Sequence, residues 1–394
     1  MDNFVFQNST KIIFGRGVES SVGAEAAAHS KKILLHYGGG SIVKTGLYGR
    51  ITASLKAAGI SWVELPGVKP NPRLGLVREG IALCREQKIG LILAVGGGSV
   101  IDSAKAMAAG VHYPGDVWDF FTGVAVPVEA LPIGTILTIP AAGSESSNGC
   151  VITKEEGGLK RAFGSDLIYP RFSILDPELA FTLPRAQVAN GVADIMAHLL
   201  ERYFTNSRPV EFTDRLIEAS LRTVIDVAPR VIDGQKDDGQ KYYDAWAELM
   251  WAGTVAHNNL LNTGREGDWA SHDIEHELSG AYDIAHGAGL AVIFPAWMKK
   301  VMNHDLRRFV QIAVRVWGVE QSFEEPERTA RAGIARFEAF WTSLGLATRL
   351  SGLGIGSERF REMADSCTER DSKRMGHFVK LDREAVMAIY ELAR

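Results

Sequence analysis

The chain has 394 residues, of which 46% are hydrophobic and 23% charged, and its formal net charge at pH 7 is -4. This is the composition of a soluble globular protein, and the small negative charge argues against nucleic acid or an anionic membrane surface as a partner. Because the length exceeds what one small core needs, two domains are expected.

Strand-like and helix-like segments alternate in the first half of the chain. Short apolar runs predict strands at 31–37, 61–65, 89–95 and 135–140. Helix-like segments follow the first run up to about Ala58 and the third run over 100–110. This order indicates a parallel sheet covered by helices. KIIF (11–14) and SILDP (173–177) are predicted to be edge or hairpin strands.

Beyond Pro184 the character of the sequence changes. Strand-like runs almost disappear, and amphipathic stretches such as 214–232 and 327–345 predict helices to the C-terminus. The sequence therefore predicts an α/β domain over 1–184 and an all-α domain over 185–394.

Two glycine-rich turns, GGGS at 38–41 and GGGS at 96–99, each follow a predicted strand and precede a predicted helix. Glycines let the backbone approach a pyrophosphate closely, and the amides at a helix N-terminus attract its charge. One such turn is often only a tight connection, but two in one sheet favour a dinucleotide site. Lys105 does not directly follow Ser99, so a P-loop is not favoured.

Histidines and an aspartate cluster in two segments of the second half. Asp194 and His198 are four residues apart, which places both on one face of a helix, and His272, His276 and His286 follow downstream. Each histidine alone is more often an ordinary core or surface residue, but the set favours a site for zinc, iron(II) or a similar divalent ion. By spacing, His276 is either a further ligand or a proton donor beside the metal.

Blocks along essentially the whole chain resemble one enzyme family. They are KPNP, LAVGGGSVIDSAK, LTIPAAGSES, ILDPELAFTLP, ANGVADIMAH and the segment 272–286. By these blocks the chain resembles an iron-containing (group III) alcohol dehydrogenase, most closely the branch of butanol dehydrogenases and NADPH-dependent aldehyde reductases. The resemblance implies a dehydroquinate-synthase-like fold, with an α/β nucleotide-binding domain, an all-α metal-binding domain and the active site in the cleft between them.

The resemblance also implies roles for individual residues. It makes Asp194, His198, His272 and His286 the ligands of one divalent metal, iron or zinc, and it makes His276 the nearby histidine that transfers a proton. By the same positions, the residues that bind the cofactor are Asn71, Gly97, Gly98, Ser99, Asp102, Thr138 and Lys160. Without the resemblance, Asp102 reads as a residue that favours the start of its helix, Lys160 as a solvated charge and Asn71 as a turn residue. Ala142 stands where the family often has threonine, so a hydroxyl near the cofactor is lost.

The first glycine turn predicts which dinucleotide binds. The resemblance implies that the cofactor ribose lies against this turn, where NAD-specific relatives tend to carry an aspartate that repels a 2′-phosphate. Here the turn consists of Gly38, Gly39, Gly40 and Ser41, with Lys44 close behind, and such a group can receive a phosphate. NADP(H) is therefore predicted in preference to NAD(H), and the alternative is a plain tight turn that accepts both. Counting about 20 residues from the first glycine turn would instead select Glu64 and NAD, and this count is rejected because the resemblance implies that the ribose lies against the turn itself.

The predicted reaction is reversible hydride transfer between NADP(H) and a small aldehyde or primary alcohol, with the metal as a Lewis acid. One alternative is a dehydroquinate-synthase-like lyase, which needs several basic residues for an anionic substrate. The segment 272–286 has acidic neighbours and only Arg265 nearby, which argues against it. The other alternative is a non-catalytic metal-binding module, and the intact glycine turn and His276 argue against that.

Cysteine usage and the first residues indicate the compartment. Cys84, Cys150 and Cys367 are scattered and form no CxxC pair, and the first ten residues lack the features of a secretory signal. A cytoplasmic homodimer is expected, with a small aldehyde or alcohol as substrate and with no membrane or nucleic acid partner.

Overall fold

A computed structural model describes residues 1–234 and 238–394. The chain forms two compact units, one of Gln7–Leu183 and one of Met1–Phe6 with Pro184–Arg394. The first six residues thus pack with the second half of the chain. The assignment of the domains as 1–184 and 185–394 stays a prediction.

The unit Gln7–Leu183 contains a six-stranded parallel sheet and a separate antiparallel hairpin. Its strands are β1 (Lys11–Phe14), β2 (Lys32–Tyr37), β3 (Ser61–Leu65), β4 (Leu91–Gly96), β5 (Ile133–Leu137), β6 (Gly149–Lys154), β7 (Leu159–Gly164) and β8 (Phe172–Leu175). Its helices are α1 (Val22–Ala27), α2 (Ser41–Lys44), α3 (Leu47–Ala57), α4 (Leu74–Gln87), α5 (Gly98–Gly110) and α6 (Trp118–Phe121). The predicted α/β architecture is confirmed, since the four predicted strands between 31 and 140 correspond to β2, β3, β4 and β5.

The strand order in the parallel sheet is β1-β8-β5-β4-β2-β3. KIIF forms the edge strand β1, as predicted, but the prediction for SILDP was wrong. Strand β8 lies inside the sheet, paired with β1 on one side and β5 on the other, and all four of its residues are buried. The ring of Phe172 occupies the place where a side chain at Gly134 would stand. This long-range fit has no local signal in the sequence.

The direction of strand addition reverses between β2 and β4. Strand β3 pairs with one side of β2, whereas β4 pairs with the other side of β2 and β5 continues the sheet in that direction. Ligands of open α/β sheets bind outside the carboxyl ends of the strands at such a switch point. The turns 38–41 and 96–99 begin where β2 and β4 end, so both glycine turns flank this point.

The second unit is built from helices. They are α7 (Arg185–Tyr203), α8 (Glu211–Asp233), α9 (Gln240–His257), α10 (Ala270–Tyr282), α11 (His286–Val301), α12 (Leu306–Trp317), α13 (Pro326–Ser343), α14 (Phe360–Cys367) and α15 (Arg383–Ala393). Helix α11 packs against both α7 and α10, and α7 is buried along most of its length. Within the described ranges, no helix has the length and apolar character needed to cross a lipid bilayer.

Candidate metal and cofactor sites

Helix α7 carries three buried polar side chains on one face. Asp194, His198 and Glu201 follow one another at helical spacing, and all three are buried. Nε2 of His198 lies 3.4 Å from Oδ1 of Asp194. Polar groups this deep in a helical core need partners, because their burial is otherwise costly.

Helices α10 and α11 bring two further histidines to this face. His272 lies in the first turn of α10, and His286 is the first residue of α11. The rings of His198 and His272 are 4.6 Å apart between centroids, and those of His272 and His286 are 5.4 Å apart. Nε2 of His286 lies 3.9 Å from Oδ1 of Asp194. The structure thus brings the four predicted ligands together.

The donor set matches what a divalent ion requires. One ligand atom each from Asp194, His272 and His286 lies within 4.8 Å of the other two. Ligand bonds of about 2.0–2.2 Å in a tetrahedral site place neighbouring ligand atoms roughly 3.5 Å apart. The 3.4 and 3.9 Å distances to the Asp194 oxygen are close to that spacing. One carboxylate with three imidazoles is a donor set that suits zinc or iron(II).

A second group of potential ligands overlaps the first. Single atoms of Glu275, His276 and His286 also lie within 4.8 Å of one another. However, the Glu275 carboxylate accepts hydrogen bonds from Nδ1 of His286 and from the hydroxyl of Ser279. Its oxygens are therefore already engaged. His276 is buried beside His286, adjacent to the first group and outside it.

Burial determines the electrostatics of the group. Burial, followed by the charges of His257 and His272, lowers the pKa of His198 well below its ordinary value. His198 is thus a neutral imidazole, the form that binds a metal. Burial raises the pKa of Glu201, and hydrogen bonds from the backbone N–H groups of Trp269 and His272 oppose that shift because they stabilise the carboxylate.

Four neighbours of this group were missed in the sequence analysis. The ring of His257, at the end of α9, lies 4.2 Å from that of His198 between centroids, with the planes inclined by 30°. The indole of Trp269 contacts the rings of both His198 and His272, and the guanidinium of Arg202 lies 4.7 Å from that indole ring. Glu201 was also missed, although its helical spacing from Asp194 and His198 is a signal that could have found it. His257 and Trp269 have no such signal, because only the fold brings them near.

The second glycine turn joins β4 to the start of α5. Gly97 precedes the helix in an extended conformation, and Gly98 and Ser99 form its first residues. A Cβ atom at Gly97 would come within 2.9 Å of Ile139, so this position tolerates little beyond glycine. Thr138 lies beside the turn, since its N–H donates to the carbonyl of Gly96 at 3.0 Å.

Asp102 lies on α5, and its carboxylate makes hydrogen bonds outside that helix. Its carboxylate accepts a hydrogen bond from the hydroxyl of Ser144 at 2.5 Å and another from the N–H of Val151 at 3.0 Å. It therefore ties the helix to the segment that leads into the β6–β7 hairpin. The methyl group of Ala142 lies 3.4 Å from where a Cβ atom at Gly98 would stand. Ala142, which stands where the family often has a threonine, thus faces the glycine turn.

The segments that carry Asn71 and Lys160 are linked through β6. Asn71 is buried with a φ of 53°, a left-handed conformation that asparagine tolerates better than most residues. The next residue, Pro72, accepts a hydrogen bond from the N–H of Thr153, and Thr153 pairs with Lys160 across the hairpin. Lys160 is buried, so it is not a solvated loop charge.

The first glycine turn is open. No atom lies within 4 Å of where a Cβ atom would stand at Gly39, whereas Gly40 has a φ of 96° that favours glycine. Ser41 begins α2, and Lys44 at its end is exposed. The carboxylate of Glu64 accepts hydrogen bonds from the hydroxyls of Tyr37 and Tyr48. Glu64 is therefore engaged within the unit.

Comparisons with known proteins cover both halves of the chain. The family model for iron-containing alcohol dehydrogenase matches residues 9–177, and the model for the C-terminal part of the Fe-containing alcohol dehydrogenase family matches residues 188–394. The probable NADH-dependent butanol dehydrogenase 1 of Bacillus subtilis (strain 168) is 44% identical, over 99% of each chain. The NADPH-dependent aldehyde reductase of Escherichia coli (strain K12) is 36% identical, over 100% of each chain.

A solved structure shows the same fold. The NADH-dependent butanol dehydrogenase A of Thermotoga maritima superposes with a TM-score of 0.94 at 42% identity, and the match covers 100% of this chain and 99% of that one. Sequence and fold agree along the full length, and this protein belongs to the iron-containing alcohol dehydrogenase family, in the branch of butanol dehydrogenases and aldehyde reductases.

Proposed function

We propose that this protein transfers a hydride reversibly between NADP(H) and a small aldehyde or primary alcohol, with one divalent ion, iron or zinc, in its site. The observation that carries the proposal is the convergence of one carboxylate and three imidazoles from α7, α10 and α11 in a member of an alcohol dehydrogenase family. Asp194, His198, His272 and His286 would hold the ion.

The residues of the chain divide the chemistry among them. When bound, the ion would supply a Lewis acid for the oxygen on which negative charge develops, and the nicotinamide would supply the hydride. His276, buried beside His286, would hold and return the proton at a ring nitrogen. The dinucleotide would bind along the carboxyl ends of the strands, at Gly38, Gly39, Gly40, Ser41, Asn71, Gly97, Gly98, Ser99, Asp102, Thr138 and Lys160.

This division assigns each half of the chain one task. Residues 1–184 would form the dinucleotide-binding domain, and residues 185–394 the metal-binding domain. The topological switch between β2 and β4 supports the first assignment, because both glycine turns begin there. The buried donor set supports the second.

The preference for NADP(H) rests on the first glycine turn. That turn has no carboxylate, and Glu64, the acid that a general count would select, is engaged by two tyrosine hydroxyls. The relatives include proteins named for either cofactor: the Bacillus subtilis relative is called NADH-dependent and the Escherichia coli relative NADPH-dependent. The choice for this chain is therefore part of the proposal.

We also propose that the protein works as a homodimer in the cytoplasm. Exposed apolar side chains at Phe4, Val5 and Phe6 support self-association, because such side chains gain from burial against another surface. Sedimentation of the purified protein tests this: a single species with twice the mass of the chain is expected, and a monomer would contradict it.

The activity is tested with purified protein loaded with iron(II) or zinc and a series of short aldehydes. Each aldehyde is expected to cause oxidation of NADPH, which is measured as a decrease in the absorbance of NADPH. The lyase alternative would leave the cofactor unchanged, and a metal-binding module would bind the ion without turnover of any aldehyde. The names of the relatives do not favour either alternative.

A further inference from the structure

We propose that Glu201 and Glu275 are positioning residues that hold the imidazoles of His272 and His286 with Nε2 directed toward the metal. Each glutamate comes from the ligand-bearing helix that precedes its histidine: Glu201 on α7 supports α10, and Glu275 on α10 supports α11. The inference rests on the proposed metal site and deepens it, since neither glutamate would contact metal or substrate.

Glu201 combines two tasks in one carboxylate. Its Oε1 accepts from Nδ1 of His272 at 2.8 Å and from the N–H of His272 at 3.1 Å, and its Oε2 accepts from the N–H of Trp269 at 2.6 Å. It therefore caps the N-terminus of α10 and orients the ring in the first turn of that helix. Trp269 has a φ of 69°, which is unusual for a bulky residue and requires support from its surroundings.

Glu275 is held by two hydrogen bonds and by packing against α11. It is fully buried, and it accepts from Nδ1 of His286 and from the hydroxyl of Ser279. Its side chain lies over α11 at Gly289, where a Cβ atom would come within 2.5 Å of the carboxylate and 2.7 Å of Cγ. The absence of a side chain at Gly289 thus makes room for Glu275.

These contacts determine which ring nitrogen faces the ion. A carboxylate that accepts from Nδ1 keeps the proton on that atom, so the lone pair that can bind a metal is on Nε2. It also makes the imidazole a stronger ligand. His198 is held differently: its Nδ1 has no hydrogen-bond partner among the described residues, and its ring packs against that of His257. The glutamates therefore matter for His272 and His286 in particular.

The competing explanation is that both glutamates only stabilise the helical core. Glu218 on α8 provides a matched control, because it is a buried carboxylate of the same unit that contacts none of the four proposed ligands. It accepts from the hydroxyl of Tyr203 at 3.0 Å, from Nε2 of Gln311 at 3.1 Å and from Nη1 of Arg315 at 3.3 Å. Glu218→Gln should therefore reproduce the cost of losing a buried charge without affecting the metal.

The test measures zinc affinity by competition with a chromophoric chelator, using metal-free full-length protein whose fold is verified by circular dichroism. Glu201→Gln and Glu275→Gln should each weaken zinc binding by roughly 10- to 100-fold, and Glu218→Gln should not. The cobalt(II) absorption spectrum should change in the same two variants, because the field around the ion depends on how the imidazoles are oriented. A purely structural role would not alter this spectrum.

Wild-type affinity and an unchanged cobalt spectrum in both variants would overturn the inference, and so would an equal loss of affinity in Glu218→Gln. If Glu201→Gln fails to fold, Glu275→Gln decides alone. Failure of the metal site itself has a different signature: wild-type protein and His272→Ala would then bind zinc equally weakly, irrespective of either glutamate.

Discussion

The imidazole of His276 lies beside that of His286, with ring centroids 5.5 Å apart and ring planes inclined by 32°. The neighbouring histidine on α10, His272, is one turn away and contacts His198. One face of α10 thus presents one histidine to the group of predicted ligands and another next to it. The proposed roles, a ligand for His272 and a proton carrier for His276, rest on this arrangement, and the sequence spacing alone left them open.

Replacement of His276 with alanine should retain the metal and lower turnover. The expected decrease in kcat is roughly 10²–10⁴-fold, the usual contribution of general acid/base catalysis. Metal content and kcat are measured on the same preparation. His112→Ala, a change at a partly exposed histidine of the other unit, is the control and should match wild type. Loss of metal from His276→Ala would show that His276 is a ligand.

Replacement of His272 or His286 with alanine should abolish both metal retention and activity. Each change would remove one of the four proposed ligands and leave the ion with an incomplete donor set. Metal bound after dialysis and aldehyde reduction with NADPH are the two measurements. His377→Ala, at an exposed histidine that pairs with Glu266, should leave both unchanged. Full metal and full turnover in either variant would exclude that residue as a ligand.

An aspartate at Gly39 should shift cofactor preference from NADPH toward NADH. Gly39 has open space around it, so the side chain fits without strain, in contrast to Gly40. Because a carboxylate next to a 2′-phosphate brings like charges together, the ratio of kcat/KM values should change by roughly 10- to 100-fold. Gly39→Asn is the control, with the same shape and no charge. A wild-type preference for NADH would refute the proposed cofactor choice.

The free energy of unfolding should decrease as the pH falls, in part because of His36. Its ring is buried between the carbonyl of Leu65, 2.7 Å from Nδ1, and the hydroxyl of Ser103, 2.9 Å from Nε2. Burial lowers the pKa of His36 from 6.5 to about 4. Between these two values the unfolded chain binds a proton that the folded chain does not, so stability is lost as the pH falls through this window.

Across this whole pH window, His36 lowers the free energy of unfolding by about 3 kcal/mol. Urea unfolding at several pH values measures the slope for wild type and for His36→Gln, which cannot titrate there. The variant should show the smaller loss of stability on acidification. Parallel slopes for the two proteins would mean that His36 does not titrate as its burial implies.

Local patterns in the sequence were sufficient wherever the geometry is local. The spacing of Asp194 and His198 places them on one face of a helix without any knowledge of the fold, because helical periodicity depends only on the backbone. The apolar runs that became β2, β3, β4 and β5 are likewise short and continuous, as expected for strands of a buried parallel sheet. The two glycine turns were predicted by the same reasoning.

Tertiary structure alone decided the contacts between distant segments. Glu201 supports His272 across 71 positions of the chain, and no periodicity links two such residues. His257 and Trp269 reach His198 from the end of one helix and the residue before another. Strand β8 became an interior strand because β1 and β5 pair on its two sides. Packing and strand pairing depend on which surfaces meet, and that is a property of the whole folded chain rather than of any one segment.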